Sequence, residues 1–202
     1  MCSRTCFLLS CLTMFSCILP AFASPPFVCV KAASSANGEF LAVTDLEMQP
    51  GSNYVKQTTM TVLKKTMFEG TREGFSVPST YWADWPALKI AFGRSDGIGV
   101  CPLALITNDG KYLVLLKVGA VPDIALRIYA IGGVRVKDVG LKEVWPGKQL
   151  AVEPKIITDA TPQWFAGGTF VFTSGNRALI HKTRFGNTVR ITLETGAVSG
   201  SD

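Results

Sequence analysis

The chain has 202 residues, of which 48% are hydrophobic and 17% charged. This balance excludes an intrinsically disordered polymer and fits one globular domain once a leader is set aside. The formal net charge of +5 is dispersed. Lys64-Lys65 and Arg135–Lys137 are the densest basic groupings, well short of the stripe that a nucleic-acid surface needs.

Residues 1–23 read as a cleavable signal peptide. Arg4 supplies a positive n-region, Cys6–Leu19 is an almost unbroken apolar stretch, and Ala21-Phe22-Ala23 places small residues at the −3 and −1 positions of a cleavage site. Pro20 ends the apolar helix ahead of the peptidase, and Pro25-Pro26 keeps the following residues extended. Cys11 and Cys17 each follow a serine, but the residues before them fit a lipobox poorly. The expected mature chain is residues 24–202, a single all-β domain exported to the periplasm or the medium. Beyond the leader no apolar run approaches the ~18 residues of a spanning helix, so no transmembrane segment is expected after processing.

Four of the six cysteines leave with the leader, and Cys29 and Cys101 remain. An oxidising compartment favours their only intramolecular pairing. The loop so closed is long enough for the chain-entropy model to give a ceiling of about 4 kcal/mol.

The mature chain has the periodicity of strands. Phe27–Val30, Glu39–Leu46, Thr58–Lys64, Ala87–Phe92, Lys111–Val118, Ala125–Ile131, Thr169–Phe172, Ala178–Lys182 and Thr188–Leu193 are short and rich in β-branched or aromatic residues, with Gly, Pro, Asn or Asp bounding most of them. Tyr112–Leu116 is apolar enough for a fully buried strand. Helical spacing is confined to Val139–Trp145, one turn stopped by Pro146.

Three segments look alike: Ser35-Ala36-Asn37-Gly38-Glu39-Phe40-Leu41, Thr107-Asn108-Asp109-Gly110-Lys111-Tyr112-Leu113 and Thr173-Ser174-Gly175-Asn176-Arg177-Ala178-Leu179. Each starts with a polar turn that favours positive φ and runs into a strand. A second strand follows in each case, at Thr61–Lys65, Leu126–Ile131 and Val189–Leu193, and the last two of these end in Gly132-Gly133 and Glu194-Thr195-Gly196. The pattern resembles blades of the WD40-like and TolB-like β-propellers and is similar to exported bacterial proteins. It departs from those families in lacking the turn proline and the tryptophan-aspartate pair. Its units also recur about every 70 residues, where ordinary blades recur every 40–50. The resemblance implies propeller-like antiparallel blades, with a β-sandwich as the alternative. If the three units are repeats, as the propeller-like reading requires, equivalent turns place Leu41, Leu113 and Leu179 in the core; a leucine facing solvent points to the sandwich instead.

The sequence shows no catalytic constellation. His181, the only histidine, has no Gly-x-Ser-x-Gly elbow to serve. It lies on the strand face opposite Ile180, so it is expected at solvent or a blade edge. One histidine and two cysteines are too few for a zinc site. No phosphate- or dinucleotide-binding glycine motif occurs, so no metal and no cofactor is expected. The feature best suited to binding is Tyr81-Trp82-Ala83-Asp84-Trp85-Pro86, with Trp164 a further contributor. Flat aromatic faces beside a carboxylate suit a sugar ring or the apolar rim of a protein, although tryptophans in β-proteins more commonly pack as core between sheets or blades. The chain therefore reads as a non-enzymatic binding or scaffolding module for a protein or polysaccharide, with no nucleic acid as partner. The alternative is a glycoside hydrolase working through two carboxylates.

Overall fold

A computed structural model describes residues 32–52, 54–72, 75–118, 123–145, 164–165, 167–183 and 186–201. The leader, the expected strand Phe27–Val30 and Cys29 lie outside these. Among the described residues twelve strands make three four-stranded antiparallel sheets that succeed one another along the chain. The first holds β1 (Ala32–Ser34), β2 (Phe40–Met48), β3 (Val55–Arg72) and β4 (Phe75–Gly93). The middle sheet holds β5 (Leu103–Ile106), β6 (Tyr112–Leu116), β7 (Ile124–Ala130) and β8 (Val134–Gly140). The last holds β9 (Thr169–Phe172), β10 (Ala178–Lys182), β11 (Thr188–Thr192) and β12 (Val198–Ser201). Each sheet is a meander in which every strand pairs with its successor. The one-turn helix α1 (Leu141–Val144) falls inside the expected Val139–Trp145. The chain is all-β as its sequence indicates. Among the described residues, the sheets close into neither a barrel nor a ring, and no helix is long and apolar enough to cross a membrane.

The sheets stack face to face, with the middle one between the other two. Phe40 and Ala42 of β2, Met60 and Val62 of β3, and Leu88 and Ile90 of β4 form one core with Leu113, Leu115 and Tyr129 of the middle sheet. Val114, Leu116, Leu126 and Ile128, on the opposite face of that sheet, form a second core with Leu179, Val189 and Ile191. The sequence pattern follows from this arrangement. A strand buried on both faces needs apolar side chains at every position, and β6 reads Tyr-Leu-Val-Leu-Leu with four consecutive buried residues. A strand covered on one face alternates, as β2 and β11 do. Each fully buried Leu, Ile or Val contributes roughly 1.5–3 kcal/mol.

The three turns that head β2, β6 and β10 share one hydrogen-bond pattern. Ser35, Thr107 and Thr173 each donate a backbone N–H to the carbonyl five residues on, at 2.8, 3.1 and 2.9 Å. Each also accepts at its hydroxyl the N–H of that same residue, at 3.0, 3.1 and 3.2 Å. The fourth turn residue adopts positive φ in all three: Gly38 at 70°, Gly110 at 68° and Asn176 at 53°. Asparagine is the side chain that best tolerates this region. Asn37 and Asp109 additionally tie down the turn by accepting the hydroxyl of Ser35 or Thr107 at 2.7 Å, a role Gly175 has no side chain to fill.

Three sequence expectations need correction. β1, β5, β8 and β12 complete their sheets but were not anticipated. β3 and β4 run far beyond the expected Thr58–Lys64 and Ala87–Phe92. Leu113 and Leu179 are fully buried, but Leu41 is only half-buried and belongs to neither core. It lies on the face of β2 opposite Phe40, which no described sheet covers.

Candidate functional site

The first strand of each sheet, β1, β5 and β9, is its edge strand. All three edges border one groove of about 440 Å³, lined by Ser34 and Ala36 from the first sheet, Leu105, Ile106 and Asn108 from the middle one, and Phe170, Val171 and Phe172 from the last. The repeated turns draw these edges together. Asn37 donates its backbone N–H to Asn108 Oδ1 and its side-chain Nδ2 to the Asn108 carbonyl, both at 3.0 Å. Asn108 in turn donates its N–H to Asn176 Oδ1 at 3.4 Å. One turn from each sheet is thus linked into a chain of amides at one end of the groove.

The groove lining is mostly aliphatic and aromatic. An edge strand also presents backbone N–H and C=O groups that its own sheet does not pair. Val171, on the edge strand β9, is 61% exposed and adds an open aliphatic side chain to the groove wall. Apart from the turn residues, the sequence reading missed this site. Leu103–Ile106 is only four residues long, and nothing in one strand reveals that three edges converge.

The predicted aromatic surface is divided by the fold. Trp82 pairs with Lys65 on the part of the β3–β4 hairpin that runs past β2 and is 42% exposed. Tyr81 pairs with Thr66 there. Trp85 lies in the irregular stretch where the register moves from Leu63↔Asp84 to Thr61↔Lys89, beside Pro86, which has no N–H to give the ladder. It packs edge-on to Phe40 at 5.4 Å, with the Lys64 ammonium 5.0 Å from its ring centre. This cation–π contact holds the lysine stem across the edge of the first core. Trp164 departs from the expectation. It is 1% exposed, lies in the second core and donates its indole N–H to the Lys117 carbonyl at 2.9 Å. Trp85 and Trp164 therefore pack on opposite sides of the middle sheet and share no surface.

His181 is also placed otherwise than expected. It is 1% exposed, stacked on Phe170 at 4.2 Å and edge-on to Trp164 at 5.6 Å. Its Nδ1 lies 3.2 Å from the Thr169 carbonyl, and Nε2 is buried with no hydrogen-bond partner. Burial pushes its pKa below the ordinary histidine value, against the opposing pull of the Thr169 carbonyl. Among the described residues no three His, Cys, Asp or Glu side chains gather as a metal site would require.

Among the described residues the middle sheet carries one ion pair with a buried cation. Arg127, 3% exposed, forks onto Asp138 through Nε at 2.5 Å and Nη2 at 2.8 Å, and Nη2 also donates to the Asp96 carbonyl at 2.6 Å. The carboxylate holds the guanidinium charged, above its ordinary pKa. This is scaffold chemistry, which fixes the 3-10 turn Arg94–Asp96 against β7. Compared with known families, curated proteins and solved structures, the chain matches none.

Proposed function

We propose that the exported chain is a non-enzymatic binding module that takes an extended, partly apolar polypeptide segment in the groove between β1, β5 and β9. The observation that carries this reading is the meeting of three strand edges around an apolar cleft. Edge backbone groups recognise an extended peptide by strand addition, and the side chains between them select alternate residues. Two-carboxylate hydrolysis requires two carboxyls roughly 5–9.5 Å apart, and the eight lining residues supply hydroxyl, amide, aliphatic and aromatic groups instead.

The test is selection from a displayed library of random peptides, followed by fluorescence polarisation of the enriched sequences. Peptides of alternating apolar character should bind, and Ala36→Trp, which fills the groove from an exposed turn position, should weaken them at least tenfold. Enrichment of no peptide, or binding indifferent to Ala36→Trp, overturns the assignment. Secretion of the chain with its leader removed is the companion expectation for its compartment.

A further inference from the structure

We propose that two copies of this chain associate head to tail, the last sheet of each packing on the first sheet of the other, so that six sheets close one ring. This goes beyond the groove reading and does not depend on it.

The internal repeat supplies the argument. The common turns make Leu41, Leu113 and Leu179 equivalent positions. The Leu113 face of the middle sheet is covered by the preceding, first sheet. The Leu179 face of the last sheet is covered by the preceding, middle sheet. The equivalent Leu41 face of the first sheet has no sheet over it among the described residues, and Leu41, Val43 and Leu63 are half-buried there. The mirror situation holds at the other end. Phe40 and Val114 point toward the sheet that follows theirs, whereas Ile180, paired with the exposed Val171, points where no described sheet lies. The first and last described sheets thus present two faces of the kinds that pack on each other twice among the three.

Charge fits at one point. β2 puts exposed Asp45 on the Leu41 face, and the Ile180 face presents exposed Lys182 and Arg190. Glu39, just before β2, stands beside Lys65, which donates its backbone N–H to the Glu39 carbonyl, and Lys89 lies on the same face opposite Thr61. The count of sheets favours a closed pair. Sheets fanned around a common inner edge close with roughly four to eight members, so the three described sheets of one copy fall short, those of two copies reach the range and those of three copies exceed it. Head-to-tail contacts that do not close propagate into filaments, and closure at two copies removes that hazard. In such a ring the groove becomes half of an axial channel.

Sedimentation velocity and light scattering of the purified exported chain over a hundredfold concentration range test this. The expected result is a single dimer mass at the upper end. Arg190→Glu and Ile180→Asp on one face, or Val43→Asp on the other, should each move the dimer–monomer midpoint at least tenfold higher. Arg190→Glu changes an exposed side chain and keeps the test valid if an aspartate variant fails to fold. Combining Arg190→Glu with Asp45→Lys should recover part of the loss, and Val134→Asp, on the outer strand of the middle sheet, should leave the midpoint unchanged. A monomer at every concentration, a dimer indifferent to all three face substitutions, or an open ladder of larger species overturns the closed pair.

Discussion

The ring of Phe40 lies against the α-carbon of Gly110, a residue of the neighbouring sheet's turn. A β-carbon built on Gly110 would fall inside the van der Waals reach of three Phe40 ring carbons, with Cζ at 2.6 Å. The turn therefore needs glycine for two reasons, its positive φ of 68° and the close approach of the first sheet. Gly38, the equivalent residue of the first turn, shares the conformation, yet nothing lies within 4 Å of its added β-carbon.

This contrast yields the first prediction. Gly38→Ala should cost only the left-handed strain, about 1–2 kcal/mol. Gly110→Ala should cost that plus the displacement of a buried ring, about 3–4 kcal/mol in all. Denaturant melts of the two variants measure the difference directly, and equal losses would show that Phe40 yields freely.

The second prediction concerns acid. His181 is buried neutral, so its folded pKa lies below its unfolded value. The unfolded chain then binds more protons than the folded one as pH falls through about 6.5, and stability must fall with it. The histidine's share is complete above the unfolded pKa and is lost progressively below it, with a slope of at most about 1.4 kcal/mol per pH unit. His181→Phe keeps the stack on Phe170 and removes the titration. Melts of both proteins from pH 8 to 5 should show a shallower decline in the variant, and parallel curves would mean the imidazole is not a source of the acid lability.

Much of the fold could be read from the chain, and the failures have physical causes. β9 and β10 were bounded residue for residue because Gly168 and the Gly175-Asn176 turn punctuate them. β1, β5 and β12 are as short as β9 or shorter and, unlike its Thr-Phe-Val-Phe, hold at most one β-branched or aromatic residue each, and β8 hides behind Arg135, Lys137 and Asp138. The parity of His181 was read correctly, opposite Ile180, but an apolar neighbour implied that Ile180 faced inward. Only the stacking order shows that the Leu179–His181 face is the covered one. Trp164 is buried for the same reason: a tryptophan's depth depends on which sheet lies over it, and one strand carries no record of that.

Arg127 and Asp138 give the third prediction. Asp138→Ala leaves a buried guanidinium without its carboxylate, with the Asp96 carbonyl and Tyr129 as remaining partners, and removing one partner of such a pair costs about 3–5 kcal/mol. Arg127→Met removes the buried charge and keeps most of the stem's packing, and the surviving carboxylate is already 26% exposed and also lies 3.6 Å from Arg135. It should therefore cost clearly less than Asp138→Ala. Thermal melts at low and high salt separate the two, since a buried pair is screened little.

The fourth prediction joins Cys29 to Cys101. What supports it is the burial of Cys101 and the presence of only one other cysteine once residues 1–23 are removed. Intact mass of secreted protein should begin at Ser24, carry no lipid, and take up two alkyl groups only after reduction. Alkylation of both thiols before reduction would show the bridge absent, and a mature chain beginning at Cys11 or Cys17 would overturn the processing.

The last prediction uses the leucines to separate repeat from core. Leu113 and Leu179 are each 0% exposed between two sheets, and Leu→Ala at such sites typically costs about 2–5 kcal/mol. Leu41 occupies the same place in its turn-strand unit but lies on the uncovered face, so Leu41→Ala should cost about 1 kcal/mol in an isolated chain. Glu39→Ala and Lys111→Ala, exposed beside the turns, should stay within about 0.5 kcal/mol. The informative quantity is how the Leu41 effect changes with protein concentration. If a second chain covers this face, folding and association are linked by mass action, and the cost of Leu41→Ala should rise as the wild-type dimer becomes populated, while that of Leu113→Ala and Leu179→Ala changes far less. Urea melts of the three variants at two protein concentrations a hundredfold apart provide the comparison, and a Leu41 cost that is the same at both would leave that face as an ordinary solvent-facing side of the first sheet.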